Sequence, residues 1–218
     1  SYYDTGRLEQ AEKEFLKVTK QYGKYQDVGI QLARIYLATK RPDPALERAT
    51  EHQAAKPDDP QGYELAGRAY EEKGNLKAAE AEMRKAVRAS PGRDVSKVLL
   101  ASILVKEDQA DAARSILREA IAANKDNTLA SIALADLEKR KGNLDAALSL
   151  YEDTARRDPK AVYAAYMAGA LSFSRSDKAR LLSVSDLMER TMPDRPETWI
   201  VKGMVRFLNR TRPEGQPS

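Results

Sequence analysis

The chain repeats itself every 34 residues without an insertion or a deletion. Windows that begin at residues 26, 60, 94, 128, 162 and 196 align position by position. The eighth position reads Ala33, Gly67, Ala101, Ala135, Gly169 and Gly203, small in every copy. The twentieth, taken back one unit, reads Ala11, Ala45, Ala79, Ala113, Ala147 and then Leu181. The thirty-second reads Gly23, Pro57, Pro91, Lys125, Pro159 and Pro193. A period of this length means a stacked array, because a unit this small cannot bury its own apolar face.

One unit, residues 60–93, reads as helix, tight turn, helix, turn. Pro60 opens a helix in which Tyr63, Ala66, Gly67 and Tyr70 fall at helical spacing on one face. Gly74 and Asn75 stop it, since glycine adopts the left-handed cap without strain. Leu76, Ala79, Met83, Ala86 and Val87 mark the apolar face of a second helix, which Ser90-Pro91-Gly92 ends. Gly67 and Ala79 are expected where the two helices cross, small so that the axes approach closely. In residues 26–59 the turn is Lys40-Arg41-Pro42-Asp43-Pro44, with Asp43 expected to cap the next helix.

These residues resemble the tetratricopeptide repeat, with its pattern W-x2-L-G-x2-Y, A-x3-F and P. Residues 60–93 match it at Tyr63, Ala66, Gly67, Tyr70, Gly74, Ala79, Met83, Ala86 and Pro91. Residues 128–161 match at Leu134, Ala135, Gly142, Leu144, Ala147, Tyr151 and Pro159. The resemblance implies an all-α fold, a right-handed solenoid of antiparallel helix pairs. It divides the chain into a partial repeat at 1–25 (the end of a first helix plus a second helix, with Tyr2, Gly6, Leu8, Ala11 and Phe15). Repeats follow at 26–59, 60–93, 94–127 and 128–161, then a divergent repeat at 162–195. The first helix of a further repeat, 196–208, and a tail, 209–218, complete it. Leu181 and Ser185 in the divergent repeat predict a shifted second helix. The broken ends are read as those of a fragment from a longer array. Trp199, Ile200, Met204 and Phe207 make residues 196–208 an exposed apolar end suited to self-association.

Little in the composition points to catalysis. There is no cysteine, one histidine and a net charge of +4 from 37 basic and 33 acidic residues. His52 stands alone in a second helix and lacks partners for a zinc site or a nucleophilic triad. The glycines fall at repeat spacing and form no phosphate-binding loop. No run approaches the roughly 18 apolar residues of a membrane span. The expectation is a chain that is not an enzyme, with no cofactor, no nucleic-acid partner and no direct membrane span.

In this family the first helices line a concave groove that takes a peptide or helix of a protein partner, and positions 2, 5, 9 and 12 face it. Here those positions include Asp27, Ile30, Arg34, Gln61, Glu64, Arg68 and Glu71. Val95, Val98, Ser102, Val105, Leu129, Ile132, Asp136 and Lys139 follow, then Tyr163, Tyr166, Ala170 and Phe173. The groove is therefore charged at its start and apolar towards its end. Val98, Ile132, Tyr163, Tyr166 and Phe173 are the candidate docking strip, with Arg34, Glu64 and Arg68 as charged contacts. The Lys/Asn clamp of chaperone-binding repeats does not assemble at Ile30, Arg34, Leu65, Val95 and Leu99. An RNA-binding array similar to pentatricopeptide proteins is the first alternative, opposed by Glu64, Glu71 and Asp136. A substrate-docking arm of a larger enzyme is the second. The wording of the repeats is similar to bacterial tetratricopeptide lipoproteins of exopolysaccharide and PEP-CTERM export systems, which implies a cell-envelope or periplasmic scaffold.

Overall fold

The structure, a computed structural model, describes residues 2–22 and 26–210. Gly23 and the part of the tail from 211 onward, with Pro213, Gly215 and Pro217, lie outside the described residues. Two compact units divide the chain, residues 1–116 and 117–218. The first contains α1 (Tyr2–Tyr22), α2 (Gln26–Ala38), α3 (Pro42–Ala55), α4 (Pro60–Glu72), α5 (Leu76–Ala89) and α6 (Asp94–Lys106). Helix α7 (Ala110–Ala123) begins in the first unit and ends in the second. The second unit continues with α8 (Thr128–Arg140), α9 (Leu144–Arg157), α10 (Val162–Ser174), α11 (Lys178–Thr191) and α12 (Pro196–Arg210). No strand occurs among the described residues.

The period survives intact in the backbone. From α2 to α11 every first helix occupies positions 1–13 of its window and every second helix positions 17–30. From α1 to α6 and from α8 to α12 each helix packs on its chain neighbours, and first helices also pack on first helices: α2 on α4, α4 on α6, α10 on α12. This is the stacked hairpin arrangement of an α-solenoid. Helix α11 keeps the common boundaries, so the expected shift is absent from its sequence register. Leu181, in place of the usual alanine, is fully buried there.

The crossing of paired helices depends on the small residues. A Cβ built on Gly67 would lie 2.8 Å from Met83 Cε and 3.2 Å from the Ala79 carbonyl oxygen. One built on Gly169 would lie 2.9 Å from Val201 Cγ2 on α12, the next first helix, and in ordinary contact, 3.7 Å, with Val184 Cγ1 on the paired α11. The core that results is rich in alanine. In the first unit it joins Leu32, Ala33, Ala45, Ala49, Ala66 and Ala69; in the second it joins Ala147, Tyr151, Ala165, Ala168, Leu181, Met188 and Val201.

The turns obey one backbone rule with several side chains. Position 15 takes positive φ in all five complete windows: Lys40, Gly74, Asp108, Gly142 and Ser176. Only two of these are glycine, so the other three hold a left-handed conformation that L-residues adopt at a cost. The following helices are capped locally. Asn75 Oδ1 accepts from the Ala78 N–H at 3.1 Å, and Asp177 Oδ1 from the Arg180 N–H at 3.1 Å.

Two local expectations are corrected. Asp43 is not a cap: α3 starts at Pro42, two residues before the expected Pro44, with Arg41 at the N-cap and no side-chain cap bond. Asp43 lies inside the first helical turn, past the cap position, and instead forms an ion pair with Lys73. Residues 2–22, expected to hold the end of a first helix and then a second helix, form one helix instead. Helix α1 runs unbroken through Gly6, since glycine in a helical backbone weakens a helix without terminating it.

Gly169→Ala is expected to destabilise the protein by about 1–3 kcal/mol in urea unfolding, through overpacking against branched Val201. Gly203→Ala, where nothing lies within 4 Å, should be neutral or stabilising by up to about 1 kcal/mol. Equal effects at the two sites would contradict the crossing argument. Asp108→Gly should raise stability by about 1 kcal/mol by removing left-handed strain. A loss on that substitution would show that the side chain outweighs the backbone.

Candidate partner-binding faces

The two units present first-helix faces of different chemistry. On the first unit, α2 and α4 carry Arg34 and Arg68 at the same position of adjacent windows, and both are exposed. Arg34 Nη2 donates to the neutral Gln61 Oε1 at 2.7 Å. Arg68 lines an open depression with Leu37, Glu71, Glu72 and Lys106. The acids around them are already paired: Glu71 with Lys106, Glu72 with Lys40 at 2.7 Å, and Asp27 with Lys56 at 3.2 Å.

Glu64 does not face a partner. It is buried at 7% exposure, where Arg93 Nε donates to it at 2.7 Å, Arg93 Nη2 at 3.2 Å and Ser96 Oγ at 2.6 Å. A buried carboxylate needs such partners to offset its lost hydration. The bond raises the Arg93 pKa above its ordinary value. Glu64 thus ties α4 to the start of α6. Ile30 is likewise removed from the groove, at 3% exposure in the core. Val98 on α6 is half-buried, while Val95 at position 2 is exposed.

The second unit presents an apolar face on α8, α10 and α12. Leu129 and Tyr163, both at position 2, are 54% and 45% exposed; Ile200 and Phe207 on α12 are 48% and 58% exposed. Half-buried Ile132, Tyr166, Phe173 and Met204 pack against the core from the same helices. Phe173 and Phe207, at position 12 of their windows, meet edge to face with centroids 5.8 Å apart. Trp199 is 60% exposed, with Lys202 Nζ 4.9 Å from its ring centroid.

One polar cluster interrupts this face. Asp136 Oδ1 accepts from Tyr151 Oη at 2.5 Å and from Tyr163 Oη at 2.9 Å, with Lys139 Nζ 3.4 Å away. The two rings sit edge to face at 6.2 Å. Burial first, and the bond to Asp136 second, push the Tyr151 phenol well above its ordinary pKa. Tyr163 moves the same way for the same reasons. Tyr151 occupies the aromatic position of the A-x3-F pattern, so sequence marks it as core and gives no sign that its hydroxyl reaches Asp136.

His52 is buried at 3% exposure, and its Nε2 lies 2.8 Å from Asp59 Oδ2. Asp59 caps α4 by accepting from the Gln61 N–H at 3.0 Å. The pair joins α3 to α4. No group of three or more His, Asp or Glu side chains suited to a metal occurs among the described residues. No helix among them is long and apolar enough to cross a membrane.

The repeat, the helix pairs and the small residues at their crossings are the marks of a known class. One tetratricopeptide repeat model matches residues 2–69 and 104–170, and another matches residues 60–93. The chain belongs to the tetratricopeptide repeat family. Similar solved structures include a thermophilic TPR protein of Thermus thermophilus, 25% identical, with TM-score 0.65, covering 78% of this chain and 93% of that one. YrrB, a TPR protein with an unusual peptide-binding site, is 24% identical with TM-score 0.52, over 87% of this chain and 97% of its own. PilF of Pseudomonas aeruginosa is 17% identical with TM-score 0.63, over 93% and 92%. No curated protein matches in sequence. These matches define the family and its fold, and do not separate the exopolysaccharide-export lipoproteins from its other members.

The tyrosine shifts have a pH signature. Raised phenol pKa values mean that the unfolded chain ionises these groups first, near pH 10. Their contribution to stability is therefore present below that pH and lost as pH rises towards the folded-state values. Tyrosinate absorbance should show Tyr151 and Tyr163 titrating late, and Asp136→Ala should bring Tyr163 earlier. An unchanged titration curve in that variant would remove Asp136 as the cause.

Proposed function

We propose that this protein is a non-catalytic scaffold that holds an apolar segment of a partner protein, extended or helical, on the first-helix face of its second unit. The observation that carries this reading is where large apolar side chains stay exposed. Among the described residues they are Leu16, Val95, Leu129, Tyr163, Leu182, Trp199, Ile200 and Phe207. Five of these fall at positions 2, 5 or 12 of a first helix, and four of the five lie on α8, α10 and α12. Scattered exposed hydrophobics need no explanation, whereas a row on one face marks an interaction surface. Half-buried Ile132, Tyr166 and Phe173 give that row a rigid floor, and rigid aromatic residues are the usual energetic centres of interfaces.

A peptide occupant agrees with the peptide-binding site of YrrB, which shares this fold. The similarity of the repeat wording to envelope-assembly proteins supports a partner in a bacterial export or assembly system.

Peptides selected from a displayed random library against the whole protein provide the test. Tyr163→Ala and Ile200→Ala, both at exposed positions, should each weaken the selected peptides about tenfold, the effect of a typical interface anchor. Tyr166→Ala should do at least as much, with the far-ultraviolet helical spectrum retained. Unchanged affinity in all three variants would remove this face from the function.

A further inference from the structure

The first unit carries a second recognition feature, which rests on the reading of the chain as a partner-binding scaffold. The only basic residues on α2 and α4 are Arg34 and Arg68. They occupy the same position of consecutive windows, both are exposed, and their helices pack side by side. Every acid on those two helices is matched from within the chain: Asp27 by Lys56, Glu64 by Arg93, Glu71 by Lys106 and Glu72 by Lys40. Among the described residues Arg34 bonds only the neutral amide oxygen of Gln61. Arg68 has no hydrogen bond or ion pair among the described residues. The face is left with two surplus guanidinium groups in register.

We infer that Arg34 and Arg68 form a two-step ladder for an acidic peptide of the form acid-x-x-acid, lying across α2 and α4. The spacing follows from the helices. Neighbouring helix axes lie about 8–10 Å apart. A polyproline-II segment rises about 3.1 Å per residue and turns once in three, so side chains at i and i+3 lie on one side about 9 Å apart. Each guanidinium offers a planar fork that matches a carboxylate with two parallel hydrogen bonds. A nucleic acid fits less well. Such proteins neutralise many phosphates at once, and here only two cations on these helices are unanswered.

The test is a titration of the whole 15N-labelled protein, followed at the arginine Nε–Hε signals and assigned with Arg34→Gln and Arg68→Gln. The probe is the blocked peptide Pro-Glu-Pro-Pro-Glu-Pro. The controls are the same peptide with glutamine for glutamate, a peptide with adjacent glutamates, and oligouridylate. The inference expects saturable shifts of both arginine signals with the spaced diacid, at least fivefold tighter than with any control. It also expects roughly fivefold weakening in either arginine variant and loss of binding as salt is raised. Equal response to all probes, no response at either signal, or tighter binding of oligouridylate would overturn it. Tyr166→Ala should leave this titration unchanged. Failure of the ladder with the second-unit peptides still responding to Tyr166→Ala would remove the ladder alone.

Discussion

The structure depends on how closely neighbouring helices approach at the eighth position of each complete window. At Gly67 the backbone of α4 comes so near α5 that a single added carbon would meet Met83 and the Ala79 carbonyl. At Gly169 the same position meets both α11, through Val184, and the next first helix, through Val201. Short interaxial distances of this kind need small residues on both sides. They explain why the core is built largely of alanine, with a few large side chains such as Tyr151 and Met83 between the crossings. Helices held at one distance with one length must also turn in one way. Position 15 is therefore left-handed in all five complete windows, whether or not the residue is glycine.

Polar contacts set the register and the charge of each face rather than its gross stability. Several join residues 29 apart: Arg41 with Glu12, Lys56 with Asp27, Gln53 with Glu82, and Arg93 with Glu64. The exposed pairs among them contribute little, about 0–1 kcal/mol each. Their larger consequence is subtraction. By pairing the acids of α2 and α4 they leave the two arginines as the charge that a visitor would meet. The second unit does the opposite: its first helices turn aliphatic and aromatic side chains outward around Asp136, whose carboxylate two phenols already occupy.

Much of this was legible in the residues. The helix pairs, the crossing residues and the contrast between a charged and an apolar first-helix face follow from periodicity, since a strict 34-residue repeat leaves one way to place each position. The misreadings share a cause. Glu64 and Ile30 sit at positions that face outward by family geometry, yet one is closed over by Arg93 and Ser96 and the other is buried in the core. Whether a side chain at such a position meets solvent depends on what the next window brings. Asp43 and Gly6 failed for a local reason: the helix begins at Pro42, which leaves Asp43 inside the first turn and past the cap position, and a glycine without positive φ left its helix whole.

By itself the sequence determined the repeat, the helix-turn-helix unit and the family, because these depend on spacing along one chain. Only the tertiary structure decided which charges remain unanswered and which hydroxyls find a carboxylate. Those outcomes depend on pairs such as Glu64 with Arg93 and Tyr163 with Asp136, whose members lie about one period apart and meet only after the helices stack.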